Sequence, residues 1–270
     1  MNTNGNAYTI IYSTIIVVIV AAVLAFASMS LQPKQDANVK AETISQMLTA
    51  AHFFTKEELD KMGNDKVLSE YTKYIEKAYT INANGEVVRE LSTSKNNIEL
   101  ADDLKEQNKL IKENSDNYEL PVYVFNKDGK KVTVVPVYGA GLWGAVWGYI
   151  AFDEDYKTII GAYFDHESET PGLGAKIKDD PSFRARFEGK IADFTSDEVF
   201  AIVKGGVTDN RQNAIDAITG ATMTSKGLGN AIETWLEEYK PLFLEKMNKA
   251  DTNTILPADS IMLYKEKVEE

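Results

Sequence analysis

Three kinds of hydrophobic pattern follow one another along this chain. Residues 10–31 read IIYSTIIVVIVAAVLAFASMSL, 22 positions without a charge. A helix rises ~1.5 Å per residue, so a run of this length matches a bilayer core. Tyr8 and Tyr12 stand where interfacial aromatics would. Residues 36–75 then read as helical: Ile44, Met47 and Leu48 recur at helical spacing, and Thr55-Lys56-Glu57-Glu58 has the form of a capping box that opens a second segment. From Tyr79 the period changes to two. Residues 78–88 contain Asn84-Gly85, a strong hairpin signal, and residues 121–125 and 131–138 flank Lys127-Asp128-Gly129 as a second hairpin. Strands are also expected at 147–152, 158–164 and 198–204, a surface helix at 99–113 and a short helix at 183–187.

The last clear element is a helix from Ser225 to Phe243. Its apolar stripe, Leu228, Ile232, Trp235, Tyr239 and Leu242, is spaced four, three, four, three. Hairpins outnumber strand–helix–strand alternations, so the expected class is α+β: one N-terminal transmembrane helix, then a globular domain of antiparallel hairpins and packed helices. The expected organisation is a tail at 1–9, the anchor at 10–31, a helical stalk with the first hairpin at 32–115, the main domain at 116–250 and a C-terminal arm at 251–270.

Charge and composition narrow the function classes. Lysine and arginine number 29 against 41 acidic residues, a formal charge of −12, which argues against nucleic acid as a partner. There is no cysteine, which removes disulfides, thiolate-held iron–sulfur clusters and a cysteine nucleophile. His52 and His166 are the only histidines, so no metal site is expected. Ala25-Phe26-Ala27 imitates a signal-peptide cleavage site. The long apolar run and the lack of lysine or arginine in the first nine residues favour a retained anchor instead. Lys34 and Lys40 weakly bias the following domain toward the cytoplasm, though long domains translocate regardless of nearby charge.

Three glycine-rich segments carry the candidate chemistry. Gly139-Ala140-Gly141-Leu142-Trp143-Gly144 matches G-x-G-x-x-G, but a strand pattern follows where a dinucleotide site needs a helix. The segment reads as a strand connection, with glycines that let a flat ring approach and Trp143 beside it. Glu169-Thr170-Pro171-Gly172-Leu173-Gly174 follows His166, Glu167 and Ser168; it is a turn with several hydrogen-bonding side chains in front. His166 reads as structural. In Asp216-Ala217-Ile218-Thr219-Gly220-Ala221-Thr222-Met223-Thr224-Ser225, the small Gly220 and Ala221 open access to Thr222, and Thr224 or Ser225 is expected to cap the stripe helix. A helix N-terminus is a natural seat for a phosphate. No Walker motif is present, since Gly227 follows Lys226. No acid–base dyad has convincing spacing, so no catalytic residue is assigned.

The third segment resembles the flavinylation motif of the FMN-binding domain family, with Thr219 where serine is commoner. The second resembles that family's loop beside the isoalloxazine, and Gly141-Leu142-Trp143-Gly144 is similar to a third family segment. The resemblance implies FMN esterified through its phosphate to Thr222 by a flavin transferase whose recognition pattern includes Asp216. It also implies Glu169 and Thr170 as hydrogen-bonding partners of the flavin and Leu173 and Trp143 as walls of the ring. Gly220 and Ala221 are expected to give access, and the amides near Thr224 and Ser225 to hold the phosphate. The anchored members implied are electron-relay subunits of membrane respiratory complexes. These are sodium-translocating NADH:quinone reductases or, as the alternative, Rnf ferredoxin:NAD complexes. The implied partners are the other subunits, including a membrane flavin-bearing one, and the bilayer. The implied location is the inner membrane, single-pass, with the domain on the periplasmic side. A non-redox anchored binding module and a standalone flavin reductase are the competing classes, and no pyridine-nucleotide motif supports the latter.

Overall fold

The computed structural model describes residues 5–101, 103–207 and 211–255. Two compact units divide after Thr43. The first is most of α1 (Asn6–Ala50), a helix of 45 residues. Its side chains from 10 to 31 are all exposed. The stretch Tyr8–Ala50 is long and apolar enough to cross a membrane, with a mean hydropathy of 2.8 in its most apolar window. The helix does not stop where the apolar run ends; it continues past Pro33. Proline removes only one backbone donor, and a single missing bond need not end a long helix.

The second unit begins with the last turns of α1, where Ile44, Met47 and Leu48 are fully buried. Helix α2 (Lys56–Asp60) starts at the expected capping box. The Glu58 amide donates to the Thr55 hydroxyl at 3.3 Å, and the Thr55 amide donates to the Glu58 carboxylate at 2.8 Å. After α3 (Asn64–Tyr74), the first hairpin pairs β1 (Ile75–Ile81) with β2 (Val87–Glu90) across Gly85, whose φ is +78°. A short ribbon, β3 (Thr93–Ser94) with β4 (Asn97–Ile98), leads to α4 (Leu104–Lys112).

Strands β5 (Leu120–Lys127), β6 (Lys130–Ala140), β7 (Ala145–Phe152) and β8 (Ile159–His166) complete an antiparallel sheet of order β2-β1-β5-β6-β7-β8. The middle strands are apolar at nearly every position because both faces are covered. On one face Val135, Val137, Ile150 and Phe152 join a core with Trp235, Leu236, Tyr239 and Phe243. On the other, Phe125 makes edge contacts with Phe53 and Tyr71 at centroid distances of 5.8 and 5.7 Å.

Helices α5 (Lys176–Asp179) and α6 (Pro181–Ala185) follow β8. The expected strand at 198–204 contracts to β9 (Ala201–Val203), which pairs in parallel with β10 (Ala214–Asp216), a strand the pattern does not announce. The stripe helix is α7 (Thr222–Ile255). It is longer at both ends than the periodic stripe, and every stripe residue is buried. The expected C-terminal arm lies outside the described residues from position 256 on. Helix α7 lies close on β6: a Cβ on Gly139 would come within 3.0 Å of Ala231, and one on Gly227 would strike the Ala140 carbonyl. Polar ends of its large side chains are satisfied, Trp235 Nε1–H by Asn108 at 3.2 Å and the Tyr239 hydroxyl by the Pro121 carbonyl at 2.7 Å. Burial pushes the Glu233 carboxyl up, against the pull of the Phe200 and Val199 amides it accepts.

Candidate functional site

The three glycine-rich segments, far apart in sequence, meet at one end of the sheet. Leu142, Glu169, Thr170, Leu173, Gly174, Gly220, Ala221, Thr222, Met223 and Thr224 line one shallow cavity of about 190 Å³. Each segment arrives by a different local device. Gly141-Leu142-Trp143-Gly144 is the tip of the β6–β7 hairpin, closed by the Gly141 amide donating to the Gly144 carbonyl at 2.8 Å. Strand β7 follows, where a dinucleotide fold would need a helix. Residues 170–175 form a turn in which the Leu173 and Ala175 amides both donate to the Thr170 carbonyl, with Gly172 at φ +74°. The third segment turns at Gly220, φ +82°, and enters α7.

The hydroxyls of the last segment are used unequally. Thr222 is exposed, whereas Thr224 and Ser225 are each 1% exposed. The Thr224 hydroxyl donates to Glu169 Oε2 at 2.7 Å, and Ser225 Oγ accepts the Ile218 amide at 3.0 Å. Neither residue caps the helix as expected. The helix starts at Thr222, so both sit inside its first turn. The Ser225 amide is also committed, donating to the Ala221 carbonyl at 2.9 Å. Amides available to an anion are therefore those of Thr222, Met223 and Thr224, which precede the first helical bond. This shifts the expected phosphate seat toward Thr222.

Polar side chains of 167–169 turn toward the hairpin tip. Glu169 Oε1 accepts the amides of Leu142 and Trp143, at 2.6 and 3.0 Å. Ser168 Oγ donates to the Trp143 carbonyl at 3.0 Å, and the Ala145 amide donates to Glu167 at 3.2 Å. His166 has a structural part, its Nδ1 accepting the Glu169 amide at 3.1 Å. Beneath it, the buried Asp165 accepts from Gln46 at 3.0 Å and pairs with Lys178 at 2.9 Å. Among the expected ring contacts, Leu173 and Thr170 line the cavity; Trp143 stands outside it, 66% exposed. Three lining residues fall outside the expected set: Gly174, and the apolar Leu142 and Met223, which are 48% and 57% exposed. All three stand inside the quoted motifs, next to expected residues; exposed apolar character at a glycine-bounded tip is the signal that points to Leu142. A larger cavity, about 580 Å³, lies elsewhere among His52, Phe53, Lys56, Arg184 and Glu188 and contains no residue of the three glycine-rich segments.

These residues suit a phosphorylated planar ligand. The exposed Thr222 hydroxyl and the first-turn amides could receive an anion, and Leu142, Leu173 and Met223 offer an apolar rim to a ring. The cavity is smaller than the ~300 Å³ at which ordinary ligand pockets begin.

The sequence profile described as FMN-binding domain matches residues 141–237, from the β6–β7 tip into α7, so the site lies within an FMN-binding domain. A crystal structure of the C subunit of Na(+)-translocating NADH-quinone reductase from Parabacteroides distasonis is 31% identical, with a TM-score of 0.62, covering 77% of this chain and 96% of that one. The same subunit from Vibrio vulnificus is 29% identical over 241 residues, 86% of this chain and 91% of its own. That of Yersinia pestis is 38% identical over 134 residues, 47% and 49% of the two chains. The chain belongs to the family formed by the C subunits of Na(+)-translocating NADH-quinone reductases.

Proposed function

We propose that this chain is the FMN-bearing electron-relay subunit of a sodium-translocating NADH:quinone reductase, with FMN esterified through its phosphate to Thr222. The carrying observation is that Thr222 presents the one exposed hydroxyl among Thr222, Thr224 and Ser225, in the cavity where all three motif segments meet. When bound, FMN supplies reversible uptake and release of electrons. The protein supplies position: Thr222 the ester oxygen, the amides of Thr222, Met223 and Thr224 the phosphate contacts, Leu142 and Leu173 the apolar wall. Gly220 keeps the approach narrow but open, since a Cβ there would lie 3.1 Å from Leu173. The names of the relatives favour the NADH:quinone reductase over the Rnf complex. In this reading α1 anchors the chain in the inner membrane with the domain on the periplasmic side. Its partners are the other subunits, a membrane flavin-bearing one among them, and a flavin transferase loads it.

Intact mass of the denatured chain, produced together with the transferase, tests the attachment. The mass should rise by one FMN less water, and Thr222→Ala should abolish the rise completely. Flavin recovered on a peptide at Thr224 would overturn the assignment. A reporter fused after Glu270 should be active only on the outer side of the membrane.

A further inference from the structure

Glu169 touches both walls of the site at once. Its side chain is buried, 5% exposed, with both carboxylate oxygens engaged. Oε1 holds two successive amides of the β6–β7 tip, Leu142 and Trp143, and Oε2 holds the Thr224 hydroxyl in the first turn of α7. Its own amide is fixed by His166. Two glycines make room for it: a Cβ on Gly141 or on Gly174 would come within 3.0 Å of the carboxylate oxygens. Hydrogen bonds to a carboxylate are short and strong, and three of them in different directions leave the group no freedom. We propose that Glu169 is a positioning residue: one buried carboxylate sets the separation between the apolar hairpin tip and the turn that presents Thr222. This rests on reading the cavity as the seat of FMN, and it replaces direct contact between Glu169 and the ring with control of the walls.

The test uses the full chain in two forms, loaded with flavin and flavin-free in a Thr222→Ala background. Glu169→Ala removes all three bonds. Glu169→Gln keeps an oxygen for the two amides, and the Thr224 hydroxyl can accept where it previously donated. In the flavin-free chain, hydrogen exchange at the Leu142 and Trp143 amides should rise roughly tenfold or more in Glu169→Ala and stay near the parent rate in Glu169→Gln. In the loaded chain, iodide quenching of the flavin should increase in Glu169→Ala and be restored in Glu169→Gln, with cooperative melting retained. Unchanged exchange and quenching in Glu169→Ala would overturn the proposal. If that variant does not fold, Thr224→Val and Gly141→Ala decide: each should raise quenching in a folded chain, and parent-like quenching in both overturns it. Lack of flavin on the unmutated chain would sink the FMN reading alone, because the exchange measurement on the flavin-free chain still reports on the clasp.

Discussion

Two of the sheet's hairpin tips are built on opposite logic. Between β5 and β6, Asp128 and Gly129 take φ of +56° and +87°, the left-handed pair that matches strand twist in a tight turn. Lysines flank it, the Gly129 amide donates to Asn126 at 3.1 Å, and a Cβ on Gly129 would meet nothing within 4 Å. Between β6 and β7, Gly141 and Gly144 are not among the left-handed glycines. They are small because Glu169, Val146, Ser168 and Glu167 crowd them. That tip also exposes Leu142 and Trp143 where the other exposes lysine. One turn obeys the chain's own twist. The other obeys what it must touch, and it leaves apolar surface outward for something else to cover.

Substitutions can sharpen this contrast. Gly141→Ala should cost the most, about 2–3 kcal/mol as overpacking against Glu169 and Val146, seen as a lower melting temperature together with greater quencher access to the flavin. Gly129→Ala should cost about 1 kcal/mol through the positive φ alone and leave flavin absorbance and quenching untouched. If both glycines gave the same flavin response, the two tips would not differ in the way described. Leu173→Ala, at a half-exposed side chain, should cost less than about 1 kcal/mol yet open the site without releasing a tethered flavin, read by absorbance and iodide quenching. Trp143→Phe should be within about 0.5 kcal/mol of the parent in chemical denaturation, because most of that ring is already in solvent.

Where a pattern is long or a turn is governed by its own residues, the sequence is a sufficient guide. The stripe of α7, the Asn84-Gly85 and Asp128-Gly129 hairpins and the Thr55 capping box need only neighbours within a few positions. Strand β10 is not visible in the pattern because three residues, Ala214, Ile215 and Asp216, carry too little alternation, and its partner β9 lies some ten residues away across a glycine pair. For the site, the three segments are legible but the direction of their side chains is not. Nothing around Glu169 in sequence says that its carboxylate reaches back 27 residues to Leu142 and forward 55 to Thr224. The same distance hides the fates of Thr224 and Ser225, whose hydroxyls look as available in the sequence as that of Thr222.

That inequality among the three hydroxyls sets when each could be reached as the chain folds. Chemistry on Thr224 or Ser225 would have to catch the chain before α7 settles, or wait for it to open, because each hydroxyl is enclosed and bonded in the finished domain. Thr222 imposes no such deadline. On the proposed attachment, a modifying enzyme would meet it on the completed fold, at its own pace, and the folded surface rather than the enzyme alone would choose which threonine is changed.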